Sequence, residues 1–354
     1  MQTVNDVILK LNSPVVPQLK APPCLSSQEE EMRGIFLAVE SMRRHTTDEG
    51  HQIQEALGSQ GFTLCGHGYP EIGDVDVPRI LARTKPNIVV IQDKREWDVP
   101  PGNFRDHNSK FLNIQELKKR EDLFKLTILK DAHHNPFYHS NSAEEMGCHA
   151  WIIYYHPKII STLAPYIRPE HLIRTYHSLD PAVIPSLWQK GLPKKGCLLS
   201  GAISNAYPLR KRLAEQRYLL PQTDFLPHPG YHVNGCNTPG YLQLLSQYKV
   251  AICTASIYGY ALRKIIEATA CGCVVITDLP SDEVLPEIEG NLIRINPTDR
   301  TEGIGEVITQ AILDYNLDKQ TSYSKAAVKF YSYQNQGKLL LDNIKSLQRN
   351  YKSC

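Results

Sequence analysis

Short, almost wholly apolar runs recur along the chain, separated by stretches in which apolar residues return at helical spacing. The runs of the first half are GIFLAVES (34–41), FTLCGH (62–67), NIVVIQD (87–93), KLTILKD (125–131), AWIIYYH (150–156) and LIRTYHS (172–178). A second series follows: GCLLSGAIS (196–204), KVAICTA (249–255), CVVITD (273–278) and NLIRI (291–295). A strand with one wet face alternates apolar and polar residues; runs this continuous predict strands covered on both faces, as in parallel sheets. The intervening stretches supply the covering helices. DEGHQIQEALGSQG (48–61) opens with acidic residues, which suit the positive end of a helix dipole, and closes on Gly61 in a C-cap position. PKIISTLAPYI (157–167) starts with Pro157, acceptable where the first N–H has no partner anyway. PLRKRLAEQ, ALRKIIEATA, with its helix starting near Ala261, and EGIGEVITQAILD complete the second half, and the tail from about Ser322 to Tyr351 reads as helix.

The two series imply two doubly wound α/β domains facing a cleft, a count that the 354 residues also suggest at roughly 150 per domain. The expected division is an irregular N-terminal arm over 1–31, a first domain over 32–180, a proline-rich linker over 181–195, a second domain over 196–325 and a helical tail over 326–354. In such sheets, ligands bind beyond the carboxyl ends of the strands.

The formal charge of +2 leaves no broad field for holding nucleic acid or an anionic membrane. Nine scattered cysteines without a CxxC pair read as reduced thiols. With neither a signal-peptide pattern nor a run of eighteen apolar residues, the expectation is a cytoplasmic protein with no transmembrane segment.

The most informative stretch is YGYALRKIIEATACGCVVITDLPSDEVLP (258–286). A loop carrying Gly259 leads into a helix, Glu267 lies about two turns on, and Gly272 ends the helix before the next strand. The exposed N–H groups at such a helix start favour an anion. Glu267, Ala268, Ala270, Cys271 and Gly272 resemble the Glu-Ala-x-Ala-Cys-Gly helix of nucleotide-sugar glycosyltransferases with the GT-B fold, in particular family 4 enzymes and the CgeB-like group. The resemblance implies that Glu267 holds the ribose hydroxyls of a nucleotide-sugar donor, with Tyr258, Gly259, Tyr260 and Ala261 in the donor loop. It departs from family 4 at Gly259, where those enzymes carry a further glutamate, so the sugar contact made by that residue is not implied here.

GAISNAYPLRKRL (201–213) places a glycine at a strand end ahead of a helix with three basic residues, a setting in which a diphosphate meets both cations and N–H dipoles. It resembles the glycine loop of the same enzymes, with Gly201 in the loop and Arg210 where the diphosphate-binding arginine is expected. Lys211 and Arg212 read instead as a solvated face. Arg263 and Lys264 flank the same phosphates, and one of them is expected to point at the cleft, the competing reading being a surface ion pair with Glu267. No Asp-x-Asp stands at a strand end, so the expected site uses no metal and no cofactor beyond the donor.

In the first half, KLTILKD delivers Asp131, His133, His134 and His139 to a strand end. Their spacing matches no strong zinc pattern, and they are candidates for the base that deprotonates an acceptor hydroxyl. Asp180, ahead of a proline, reads as a turn cap or an acceptor contact. The whole predicts a glycosyltransferase joining a sugar to a glycan or similar acceptor. A nucleotide-sugar epimerase or hydrolase and a non-catalytic nucleotide-sugar-binding module are the alternatives.

Overall fold

The computed structural model describes residues 32–39, 49–93, 111–133, 143–165, 167–184, 195–228 and 238–352. The expected arm, most of the linker, His134 and His139 lie outside them. The first half forms a six-stranded sheet from β1 (Gly34–Leu37), β2 (Thr63–Cys65), β3 (Ile88–Ile91), β4 (Phe124–Leu129), β5 (Ala150–Ile153) and β6 (Leu172–Arg174), in the order β2-β1-β3-β4-β5-β6. Every pairing is parallel, and β1, β3, β4 and β5 are buried at every position. For these four the continuous apolar runs mean what they predict, strands with no wet face, whereas the edge strands β2 and β6 are only part-buried.

Helices α1 (Glu49–Gly58), α2 (Val77–Thr84) and α3 (Pro157–Leu163) belong to this half. The sequence pattern did not single out α2, which spans only two turns. It forms because Pro78 fits its first turn, Val77, Ile80 and Leu81 share a buried face, and Lys85 closes it in the left-handed region at φ 45°.

The second sheet, β7 (Lys195–Gly201), β8 (Thr223–Pro227), β9 (Tyr248–Ile252), β10 (Val274–Thr277) and β11 (Leu292–Arg294), is also wholly parallel, ordered β11-β10-β9-β7-β8. Strand β8 went unpredicted because it is an edge strand, half exposed and ending in proline, which lacks the apolar continuity of the others. Helices α4 (Pro208–Glu215), α5 (Thr238–Leu245), α6 (Arg263–Ala270) and α7 (Thr301–Leu313) accompany it; α5 was likewise not predicted, and α6 begins at Arg263, not near Ala261.

The tail is two helices, α8 (Leu317–Tyr331) and α9 (Tyr333–Lys352). Asn316 caps α8 by accepting from the Lys319 N–H at 2.9 Å, and Ser332 breaks the run, its hydroxyl accepting from the Asn335 N–H at 3.2 Å to start α9. Helix α8 packs on α6, while α9 returns to the first half and packs on α1 and β6. Two α/β units joined by a crossing tail make up the GT-B architecture. No described helix is long and apolar enough to cross a membrane.

Candidate functional site

In the second sheet the strand order reverses between β7 and β9, the point at which chains leave in opposite directions and open a crevice. Gly201 ends β7 there, and Thr254 follows β9. Arg210, on the first turn of α4, fills the crevice floor. It is 2% exposed; its Nε donates to Thr254 Oγ1 at 3.0 Å, Nη1 to the Ala202 carbonyl at 3.2 Å and Nη2 to the Thr254 carbonyl at 3.3 Å. Lys264, at the start of α6, donates to the Ser200 carbonyl at 3.2 Å and sits over the Tyr241 ring.

Gly201 has φ +124°, and a Cβ on it would lie 2.6 Å from Lys264 Nζ and 2.7 Å from Arg210 Nη1. Only glycine lets both cations reach this strand end. Two like charges are thus held side by side in a partly dry crevice, with carbonyls and a hydroxyl as partners and, among the described residues, no ion pair. Burial first, and then Arg210, pulls the Lys264 ammonium down to about 8. Burial likewise lowers Arg210, and it lowers the His228 imidazole, with Lys264 and Arg210 adding to the effect. Asp278, just after β10, accepts from the Ala255 N–H at 2.6 Å, and burial raises its carboxyl. Clustered cations out of water are costly without a compensating anion, which makes the crevice a candidate anion site.

Arg263 and Glu267 behave differently from Lys264. Arg263 Nε donates to Glu267 Oε1 at 2.6 Å, with side chains 9% and 3% exposed. The expected ion pair is present, but inside the protein and not on its surface, and Lys264 is the basic residue of the two that reaches the crevice. Lys211 and Arg212 are bound outward, to Asn205 and to the Asp299 carbonyl. Asp180 accepts from the Ala182 N–H at 2.9 Å, the capping role.

The loop over residues 258–261 meets the first half. Tyr260 stacks on Tyr155 with ring centroids 3.7 Å apart and planes 1° from parallel. Tyr258 stacks on His133 at 4.1 Å, and His133 Nδ1 is 3.1 Å from the Tyr260 hydroxyl. Gly259 lies between them at φ +69°, with Pro280 and Ile159 against it. Of the first-half candidates, His133 is therefore brought to this loop, and Asp131 lies two residues before it, just beyond the end of β4, half-buried. Behind them His177 is buried against Tyr154 at 4.5 Å, its imidazole pushed down to about 3 by burial and then by Lys130. A part-buried ion pair, Arg174 with buried Glu283, and an exposed one, Lys158 with Asp282 at 2.9 Å, span the same seam.

Sequence reasoning did not single out Ser200, Tyr241, Thr254, Asp278 or Tyr155. Thr254 and Asp278 directly follow apolar runs, so the strand-end rule alone would have found them. Tyr155 and Tyr241 carried no local signal, since their roles depend on partners far along the chain.

Solved structures share this fold at low identity. A glycosyltransferase from Rickettsia africae aligns with a TM-score of 0.55 at 11% identity, over 91% of this chain and 100% of the other. The sucrose-phosphate synthase of Thermosynechococcus elongatus gives 0.54 at 10% over 92% and 100%. Anabaena HepE, solved with UDP and glucose, gives 0.53 at 11% over 89% and 100%. At these identities the likeness establishes the GT-B architecture alone. No protein-family model matches the chain, and no curated protein matches it.

Proposed function

We propose that the protein is a nucleotide-sugar-dependent glycosyltransferase that acts without a metal ion. The observation that carries this is the pair of cations, buried Arg210 and half-buried Lys264, at the switch point of the second sheet, beside the Gly201 strand end. A diphosphate leaving group gains charge as the C1–O bond to the sugar breaks, and fixed cations and dipoles stabilise that charge where it develops. Arg210 and Lys264 would hold the diphosphate, with Glu267, its carboxylate fixed by Arg263, at the ribose hydroxyls. Tyr258, Gly259, Tyr260 and Ala261 would wall the sugar. A base on the first half, with His133 and Asp131 as the candidates placed at the seam, would take the acceptor hydroxyl's proton as its oxygen attacks C1. The neighbours named above include two called glycosyltransferase or synthase and one solved with UDP and glucose, which supports the donor class.

Gly259 favours a second reading, a nucleotide-sugar-binding protein without transfer activity, because it removes a carboxylate from the sugar side. Release of nucleoside diphosphate from a panel of nucleotide sugars, with and without hydroxyl acceptors and in excess EDTA, separates the two. Acceptor-stimulated release that survives EDTA is expected. Binding without release would favour the second reading, and manganese-reversible loss of turnover in EDTA would overturn metal independence.

A further inference from the structure

The contact between the donor loop and His133 has a chemical consequence beyond packing. A neutral imidazole carries one proton, and the nitrogen bearing it cannot act as a base. Here Nδ1 faces the Tyr260 hydroxyl at 3.1 Å. Tyr260 is itself fixed: it is 2% exposed, and its ring lies flat on Tyr155, which is 3% exposed. The imidazole is held on its face as well, by Tyr258 at 4.1 Å with planes 21° apart. Three aromatic groups thus set the ring plane of His133 and the nitrogen that points at Tyr260.

Gly259 makes this clamp possible. The loop turns at this residue, its N–H donating to the Ser256 carbonyl at 2.8 Å, and φ +69° is a conformation that side chains resist. The turn sets Tyr258 and Tyr260 with ring centroids 5.5 Å apart, and both reach His133. A Cβ at 259 would stand 3.0 Å from Pro280 Cγ.

We infer that Tyr260 is a positioning residue for His133: its hydroxyl oxygen accepts the Nδ1–H and so fixes the tautomer whose Nε2 lone pair serves as the base. This rests on the glycosyltransferase reading: a tyrosine hydroxyl can also donate to Nδ1, and it is the need for a base at Nε2 that selects the accepting arrangement. Because only two residues separate Tyr260 from α6, and Lys264 stands on the first turn of α6, the element that holds the diphosphate also orients the acceptor-side base. The base is then correctly set only while the donor loop is docked on the first half.

The test is imidazole 15N NMR on the full chain above the histidine titration range, with the His133→Gln spectrum identifying the His133 resonances. The parent is expected to show Nδ1 protonated and Nε2 bare. Tyr260→Phe, which keeps the ring and its stack on Tyr155 and removes only the oxygen, is expected to shift His133 toward the Nε2–H form. In turnover, Tyr260→Phe should lower kcat about tenfold, and His133→Gln about 10²-fold or more. An Nε2–H tautomer in the parent, or an unchanged tautomer in Tyr260→Phe, overturns the inference. A His133→Gln variant that turns over like the parent, with the tautomers as expected, overturns instead the assignment of His133 as base.

Discussion

Lys264 shows how one side chain's surroundings set its chemistry. On a solvated helix a lysine stays charged far above neutrality; in the crevice, burial and the neighbouring guanidinium bring it down to about 8. It is therefore charged at pH 7 and loses its proton as pH rises past 8. Nucleoside diphosphate affinity is expected to weaken above that point, by up to about tenfold per pH unit, while Lys264→Arg, which keeps its charge throughout, should flatten the profile. Calorimetric Kd values at pH 7 and 9 check this, and parallel profiles for parent and variant would count against the role. Glu267 is bound up with stability as well. Its removal leaves Arg263 buried without its carboxylate, so Glu267→Ala should cost roughly 3 kcal/mol of folding stability along with about 1.5–3 kcal/mol of diphosphate binding. Denaturant titration and calorimetry measure the two losses separately; an unchanged Kd in the folded variant would remove Glu267 from the site.

Between elements, the decisive contacts are glycine-mediated. Gly337 on α9 lies directly against the Ala56 carbonyl of α1, and a Cβ there has no room. Gly337→Ala should force the helices apart and cost about 1–3 kcal/mol, less the gain of roughly 0.5–1 kcal/mol that alanine brings to a helix. Gly303 on α7 is the natural contrast, since nothing stands within 4 Å of its would-be Cβ. Gly303→Ala should stabilise by about 0.5–1 kcal/mol through propensity alone. Urea midpoints of the two variants, moving in opposite directions, would show that α9 is a packed strut between the halves; equal shifts would contradict the close approach.

At the scale of the molecule, buried neutral histidines make the fold acid-sensitive. His177 is pushed down to about 3 and His149 to about 4, in both cases first by burial. Their folded values lie below the unfolded one, so the unfolded chain binds more protons and stability falls as pH drops. From about pH 6 toward 4 each histidine should remove up to about 1.4 kcal/mol per pH unit. His177→Phe keeps a ring against Tyr154 and should make the dependence shallower by one histidine's share. Urea midpoints at pH 7, 6 and 5 for both proteins decide it, and equal slopes would mean that His177 does not titrate on unfolding.

Composition and periodicity were enough to specify ten strands, and the burial of the central ones, because a strand covered on both faces must be apolar at every position; β2, β6 and β11 are strands as expected but only part-buried. The glycine at the end of β7 and the basic residue one turn into α4 were legible for the same local reason: strand end, loop and helix start follow one another within ten residues. The exposed edge strand β8 and the short helix α2 were not: β8 is half exposed, and the buried Val77, Ile80 and Leu81 of α2 cover too short a stretch to establish a period. What only tertiary structure decided is which cations meet. Arg263 and Lys264 are adjacent in sequence, yet the 100° turn between helix neighbours sends one inward to Glu267 and the other to Gly201. The stack of Tyr155 on Tyr260 and the seating of His133 join residues more than a hundred positions apart, and such contacts follow from how two sheets face each other, which no local spacing encodes.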